Sequence, residues 1–193
     1  MDLIKMYPNS LGENMCNKII SIFETSNLKY EGSTTGGINK NIKNTMDLHS
    51  KDLHDNEEWK CIENIIRKEL NTKLEMYYYD INHGNFKTPY FTPYPHIEDS
   101  GFQIQRYIAN EGFYKYHNDF SIKNNDTFRI LTYLWYLNDI DEGGKTYFHE
   151  GMPIKPETGK LIIFPALWTY PHKGEMPISN NKYIMTGWIY SKL

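Results

Sequence analysis

Cysteine is scarce in this chain. There are two in 193 residues, Cys16 and Cys61, and neither belongs to a Cys-x-x-Cys pair. That excludes a thiolate zinc site and argues against a disulfide framework. Both cysteines sit in helix-like segments at apolar-face positions, so two buried free thiols are expected. Long hydrophobic runs are missing as well. No stretch approaches the ~18 apolar residues of a membrane-spanning helix, and Met1 to Ser10 lacks the apolar core of a secretion signal. The expectation is a chain with no membrane partner, working in the reducing cytoplasm. Nor is one sign of charge in excess. Lys and Arg number 21 against 24 Asp and Glu, a net charge of −3, which speaks against a nucleic-acid-coating protein or a polybasic membrane binder.

What is present is a change of texture along the chain. The first third reads helical. Ser10 stands where it can cap a helix whose apolar residues Met15, Ile19, Ile22 and Phe23 recur at helical spacing. A second helix is expected from Asp55 or Asn56, with Trp59, Ile62, Ile65, Ile66, Leu70 and Leu74 as its stripe, continuing toward Tyr77. Between them, Glu31 to Ser50 carries Gly32, Gly36 and Gly37 among Asn, Thr and Lys residues and reads as a mobile loop. Asn82 to Ser100, broken by Pro89, Pro93 and Pro95, reads as irregular.

From Phe102 onward the pattern is short strands rich in β-branched and aromatic residues: Phe102–Ile108, Phe128–Leu137, Thr146–Phe148, Lys160–Pro165, Thr169–His172 and Lys182–Tyr190. Turn residues separate them at Asn124-Asn125-Asp126, Glu142-Gly143-Gly144 and Glu157-Thr158-Gly159. Helices first and strands later indicate an α+β fold. Its core would be an antiparallel β-sandwich or barrel with the N-terminal helices packed on one sheet. No internal repeat or second domain is evident. Residues 1–193 are expected to form one domain, with 1–100 as helical support and mobile loop and 101–193 as the core.

Chemistry concentrates in the C-terminal half. His117 and Asp119, two residues apart, fall on one face if the segment is extended, so both can reach one metal ion. A His-x-Asp pair occurs by chance in many proteins, so a third ligand is required. His172 supplies one, following the buried-looking Leu161–Pro165 strand. Two histidines and a carboxylate on one face of an octahedral ion leave open positions, the arrangement of non-haem Fe(II) oxygenases. Those positions can hold a bidentate 2-oxo acid and O2. A co-substrate of that kind needs a cation for its distal carboxylate. Lys182 opens an apolar strand ten residues after His172, with Tyr183, Ile184 and Trp188 as neighbours.

With these residues in order, the region Phe102–Tyr190 resembles the prolyl 4-hydroxylase branch of the 2-oxoglutarate/Fe(II) dioxygenases. The matching residues run Tyr107, Gly112, Tyr114, His117, Asp119. Then come Arg129 leading a strand that ends in Tyr136-Leu137-Asn138, and Gly143-Gly144-Lys145-Thr146. His172, Pro177, Lys182 and Trp188 close the pattern at the family's spacings. The resemblance implies a double-stranded β-helix (jelly-roll) core, with Fe(II) held by His117, Asp119 and His172. It implies 2-oxoglutarate paired to Lys182 and lined or hydrogen-bonded by Tyr107, Tyr136 and Thr146. Tyr114, Arg129 and Trp188 would face a protein or peptide substrate containing proline, under a loop formed by Glu31–Ser50. O2 would be the oxidant and ascorbate a reductant. Two departures stand out. The stretch from Tyr107 to His117 is one residue longer than the family's, and Asn180 replaces the usual glycine before the lysine, where Asn tolerates a left-handed backbone.

Other readings remain open at this level. A free amino acid or small metabolite could replace the peptide. A nucleobase demethylase would want a basic groove, and usually Arg in place of Lys182. A binding module that had lost catalysis would lack a ligand or the lysine. A zinc hydrolase would need a general base like the Glu of His-Glu-x-x-His, and none is evident. His149 as an extra ligand competes with the simpler reading of a partly exposed strand-end histidine.

Overall fold

A computed structural model of the chain describes residues 3–83, 97–123, 127–149 and 152–192. In chain order these form β1 (Lys5–Tyr7), α1 (Glu13–Thr25), the short strands β2 (Tyr30–Glu31), β3 (Ser33–Thr34), β4 (Gly37–Ile38) and β5 (Lys43–Asn44), then β6 (Met46–His49), a 3-10 turn at Ser50–Leu53, and the long α2 (Glu57–His83). The rest is strand: β7 (Ile97–Asp99), β8 (Gln103–Tyr107), β9 (Phe113–His117), β10 (Ile122–Lys123), β11 (Thr127–Tyr136), β12 (Thr146–Phe148), β13 (Met152–Ile154), β14 (Leu161–Pro165), β15 (His172–Gly174) and β16 (Lys182–Lys192).

Among the described residues the strands form two main antiparallel sheets. The larger runs β1-β14-β11-β16-β8-β6-β2, with β10 on β11 and β7 on β16. The smaller runs β13-β12-β15-β9-β5. Strand alternation sorts the larger sheet into two cores. Leu131, Tyr133, Trp135, Leu161, Ile163, Met185 and Ile189 pack with Ile19, Phe23, Trp59, Ile66 and Leu70 of the two helices. The opposite parity, Leu134, Tyr136, Ile162, Phe164 and Ile184, joins Phe148 of the smaller sheet in an inner core. The α+β jelly-roll architecture with helices on one sheet is therefore the one the sequence indicates. Among the described residues no helix is long and apolar enough to cross a membrane.

Several local expectations need correction. Helix α1 starts at Glu13 with Gly12 as its N-cap, not at Ser10. The Ser10 hydroxyl instead donates to Glu69 at 2.8 Å and accepts from the Trp135 indole at 3.1 Å. Helix α2 does start where expected, with the Asn56 side chain accepting from the Trp59 N–H at 2.8 Å. Its buried stripe is Trp59, Ile62, Ile66, Leu70, Leu74, Tyr77 and Ile81. Ile65 and Cys61 fall off that stripe and are exposed, so of the two free thiols only Cys16 is buried.

Glu31–Ser50 is not one loop. It holds the β3–β4 hairpin, β5 in the smaller sheet and β6 in the larger one. Its Asn- and Lys-rich composition conceals Met46–His49, where Asp47 and Leu48 are both fully buried. In Asn82–Ser100, helix α2 continues to His83 and Ile97–Asp99 is a strand, while 84–96 lies outside the described residues, as does the Asn124–Asp126 turn. The strand before the second site histidine begins at His172 itself, not at Thr169.

Candidate active site

The inner face between the sheets carries the site. Strand β15 pairs with β9 so that His172 lies opposite His117 and Gly174 opposite Tyr114. An extra residue on the β9 side of this pairing lets Tyr114 and His117, three apart, face the same cavity. Asp119 follows just beyond β9. His117, Asp119 and His172 offer ligand atoms that all lie within 4.8 Å of one another. His117 Nε2 is 3.8 Å from Asp119 Oδ1, and His172 Nε2 is 3.6 Å from Asp119 Oδ2. These separations are too long for hydrogen bonds and suit atoms that share an ion.

The outer ring nitrogens are already committed. Nδ1 of His117 lies 2.8 Å from the Lys115 carbonyl and Nδ1 of His172 3.1 Å from the Tyr170 carbonyl. A carbonyl only accepts, so each Nδ1 carries the proton and each Nε2 turns a lone pair to the centre. Burial, with His172 alongside, pushes the His117 pKa down to about 4, keeping the ring neutral as a ligand must be. Burial works against the Asp119 charge. The His172 and His117 rings and the Thr132 hydroxyl outweigh it and hold the carboxyl below its ordinary pKa.

Deeper in the same cavity lies Lys182, 1% exposed. Its Nζ donates to the Gly144 carbonyl at 2.7 Å and sits 4.6 Å from the Tyr107 ring centroid and 5.9 Å from that of Tyr136. Gly144, at φ +69°, supplies the left-handed turn that aims this carbonyl inward. No carboxylate is bonded to Lys182 among the described residues, and burial pushes its pKa down to about 7. A buried ammonium with protons to spare is a site for an anion. The Tyr136 hydroxyl donates to Thr146 Oγ1 at 2.7 Å, which leaves the Thr146 proton free to join Lys182 in donating to that anion.

Asn180 has no positive φ, since among the described non-glycine residues that conformation is confined to Asn9, Asn110 and His149. The turn before Lys182 therefore needs no glycine, and the Asn180 amide donates to the Asp139 carbonyl instead. His149 stands exposed just past β12, outside the metal-ligand group.

Tyr114, Arg129 and Trp188 gather at the metal end. The Tyr114 ring stacks on His117, centroids 3.5 Å apart, and burial pushes its hydroxyl pKa up to about 12. Arg129 lies 3.7 Å over the Trp188 ring, donates to the Tyr190 hydroxyl at 3.0 Å and reaches the Asp119 carbonyl at 3.3 Å. A bulge makes this possible. Arg129 pairs with Tyr190 and Leu131 with Ile189, so the extra residue Ile130 turns Arg129 to the same face as Thr132.

Sequence reasoning missed Thr132, Gln105 and Thr186, all of which line the cavity. Strand parity was the available signal: 132 shares its face with Tyr136, 105 with Tyr107, and 186 with Lys182 and Trp188. The Thr132 hydroxyl donates to Asp119 Oδ2 at 2.7 Å. Thr132→Val should therefore weaken divalent-metal affinity about tenfold, measured by calorimetry, while leaving the melting temperature close to that of the parent. It was also blind to the buried Lys43–Asp47 ion pair at 2.6 Å, formed where the chain crosses from the smaller sheet to the larger.

The donor set fits a divalent metal with open positions, and the Lys182 ammonium in the same cavity, bonded to no carboxylate among the described residues, fits an acidic ligand beside it. The fold is a jelly roll, and its His-Asp-His donor set has the composition that non-haem Fe(II) oxygenases use. Residues 102–190 match the model of the 2OG-Fe(II) oxygenase superfamily. A probable prolyl 4-hydroxylase 3 of Arabidopsis thaliana is 29% identical over 131 residues, 52% of this chain and 45% of the plant protein. The chain thus spans under half the length of that curated relative.

Solved structures share the fold more broadly. A viral collagen prolyl hydroxylase of Paramecium bursaria Chlorella virus-1, in complex with 2OG, superposes with a TM-score of 0.68 at 18% identity, covering 98% of this chain and 97% of that one. A Trichoplax adhaerens prolyl hydroxylase, in complex with a hypoxia inducible factor oxygen degradation domain peptide fragment, gives 0.67 at 18% identity, covering 97% and 83%. A Pseudomonas putida prolyl-4-hydroxylase gives 0.66 at 16% identity, covering 98% and 92%.

Proposed function

We propose that this chain is an Fe(II)- and 2-oxoglutarate-dependent dioxygenase that hydroxylates a C–H bond of a peptidyl substrate, with proline as the preferred residue. The observation that carries this reading is the convergence of His117, Asp119 and His172 in one cavity with the buried Lys182, which has no bonded carboxylate among the described residues. Prolyl hydroxylases as relatives, one of them in complex with a peptide fragment, support the substrate class. The free cysteines suit a cytoplasmic setting.

In this reading residues 1–100 support a catalytic core at 101–193. His117, Asp119 and His172 would hold Fe(II), which when bound would supply the O2 activation and oxidising power for converting 2-oxoglutarate to succinate and CO2. The protein's own groups do the rest. Asp119 contributes the single negative charge of the ligand set and is held in place by Thr132. Lys182 and Thr146 donate to the distal carboxylate of 2-oxoglutarate, and Tyr107 and Tyr136 wall it off from water. Tyr114, Arg129 and Trp188 face the peptide at the metal end.

The test is succinate release from 2-oxoglutarate by anaerobically Fe(II)-loaded protein, with and without proline-containing peptides, the products being weighed for one added oxygen. Peptide-stimulated succinate with hydroxylated proline is expected. Turnover stimulated by free amino acids alone would move the substrate to a small molecule. Absence of Fe(II)-dependent 2-oxoglutarate binding would overturn the enzyme reading.

A further inference from the structure

Resting on that reading of the cavity, we propose that Asp47 is a positioning group for the co-substrate site. Acting through Gln103 and Gln105, it anchors the Tyr107 ring beside Lys182 and commits the Tyr107 hydroxyl proton to the protein. The argument is one of hydrogen-bond direction. Three donors converge on the fully buried Asp47 carboxylate: Lys43 Nζ at 2.6 Å, Thr45 Oγ1 at 2.8 Å and Gln103 Nε2 at 3.2 Å. A carboxylate so surrounded only accepts. Gln103 must then present its NH2 to Asp47, and the same nitrogen also reaches the Tyr30 hydroxyl at 3.3 Å.

That orientation leaves Gln103 Oε1 to accept from Gln105 Nε2 at 3.0 Å, and leaves Gln105 Oε1 to accept from the Tyr107 hydroxyl at 3.2 Å. Each amide has one orientation because the previous one does. The polarity set by Asp47 therefore runs the length of the chain of bonds. Strand β8 makes it possible, since 103, 105 and 107 alternate onto one face.

The end of the relay bears on the cavity. The Tyr107 ring lies 4.6 Å from Lys182 Nζ, and a Cβ at Gly174 would meet the Tyr107 ring edge at 3.1 Å. The ring thus fills the gap between the cation and the strand that carries His172. Its hydroxyl proton is held by Gln105, so Lys182 and Thr146, not Tyr107, donate to a bound carboxylate. The ion pair at the start of the relay ties the edge of β6 to the co-substrate cavity.

A double-mutant cycle on the Mn(II)-loaded protein tests this, with 2-oxoglutarate dissociation measured by calorimetry. Gln103→Leu cuts the relay and leaves Lys43, Thr45 and Asp47 bonded to one another, so the fold is spared. It should weaken 2-oxoglutarate binding about fivefold, the worth of one net hydrogen bond. In a chain that also carries Tyr107→Phe it should change binding by less than about twofold, because the anchored group is already gone. NMR of the ligand-free protein gives an independent readout: the Tyr107 hydroxyl proton should show cross-relaxation to the Gln105 side-chain amide and lose it in Gln103→Leu. Equal weakening in both backgrounds, no weakening in either, or no such contact overturns the relay. Failure of the unsubstituted protein to bind 2-oxoglutarate with Mn(II) overturns the reading of the cavity and the proposal with it.

Discussion

Lys182→Met should bind 2-oxoglutarate about a hundredfold more weakly than the parent and yet melt at a higher temperature. The two effects have one cause. Lys182 is fully enclosed, bonded among the described residues to the Gly144 carbonyl and to no carboxylate, and burial holds its pKa near 7. In the unfolded chain the same group keeps its proton up to the ordinary lysine range. Between about pH 7 and 10 the unfolded state therefore binds more protons than the folded one, and stability rises with pH across that window. Below it the penalty for the buried charge is complete. Methionine fills the space without a charge and should recover about 2 kcal/mol at neutral pH, read as a higher urea midpoint with an unchanged slope.

Binding reverses the balance, because a carboxylate beside Lys182 restores the proton. Affinity of the parent for 2-oxoglutarate should be level below about pH 7 and fall as pH rises above it, by about tenfold per unit. Lys182→Met should lose that pH dependence along with the affinity. Unchanged affinity in this variant, or a lower melting temperature, would remove Lys182 from the co-substrate site.

Asp119→Ala should lower Fe(II)-dependent succinate formation by well over a hundredfold, since even partners of metal ligands are worth about ten- to a hundredfold. The same change should shift stability by no more than about 1 kcal/mol. The carboxylate is 9% exposed, bonded through its side chain to Thr132, and surrounded by two imidazoles whose Nδ1 atoms are tied to the backbone rather than to it. Its removal leaves a small polar space and no stranded charge. Circular dichroism and the melting temperature should match the parent while Mn(II) affinity collapses. Retained succinate formation would show that the three residues do not act as one metal site.

His117 and Asp119 were legible as a pair because residues two apart in an extended segment share a face, and the fold brings them into one cavity with His172 and Lys182. Met46–His49 was not legible as a strand of the larger sheet. Its neighbours in sequence are polar, and the pairing that makes it a strand, Leu48 opposite Ile104, spans a distance along the chain that local composition does not register.

Ser10 shows the limit from the other side. A capping residue in the right place for a helix was taken by the more distant Glu69 and Trp135. The sequence by itself determined the donor set, its order and the period-two faces that present it, because those depend on local geometry. Only the tertiary structure decided that the bulge at Ile130 would turn Arg129 inward, that Thr132 would hold Asp119, and that Asp47 would govern the hydrogen bonds reaching Tyr107. Those choices are made between groups brought together by folding, where the direction of a hydrogen bond depends on partners tens of residues away.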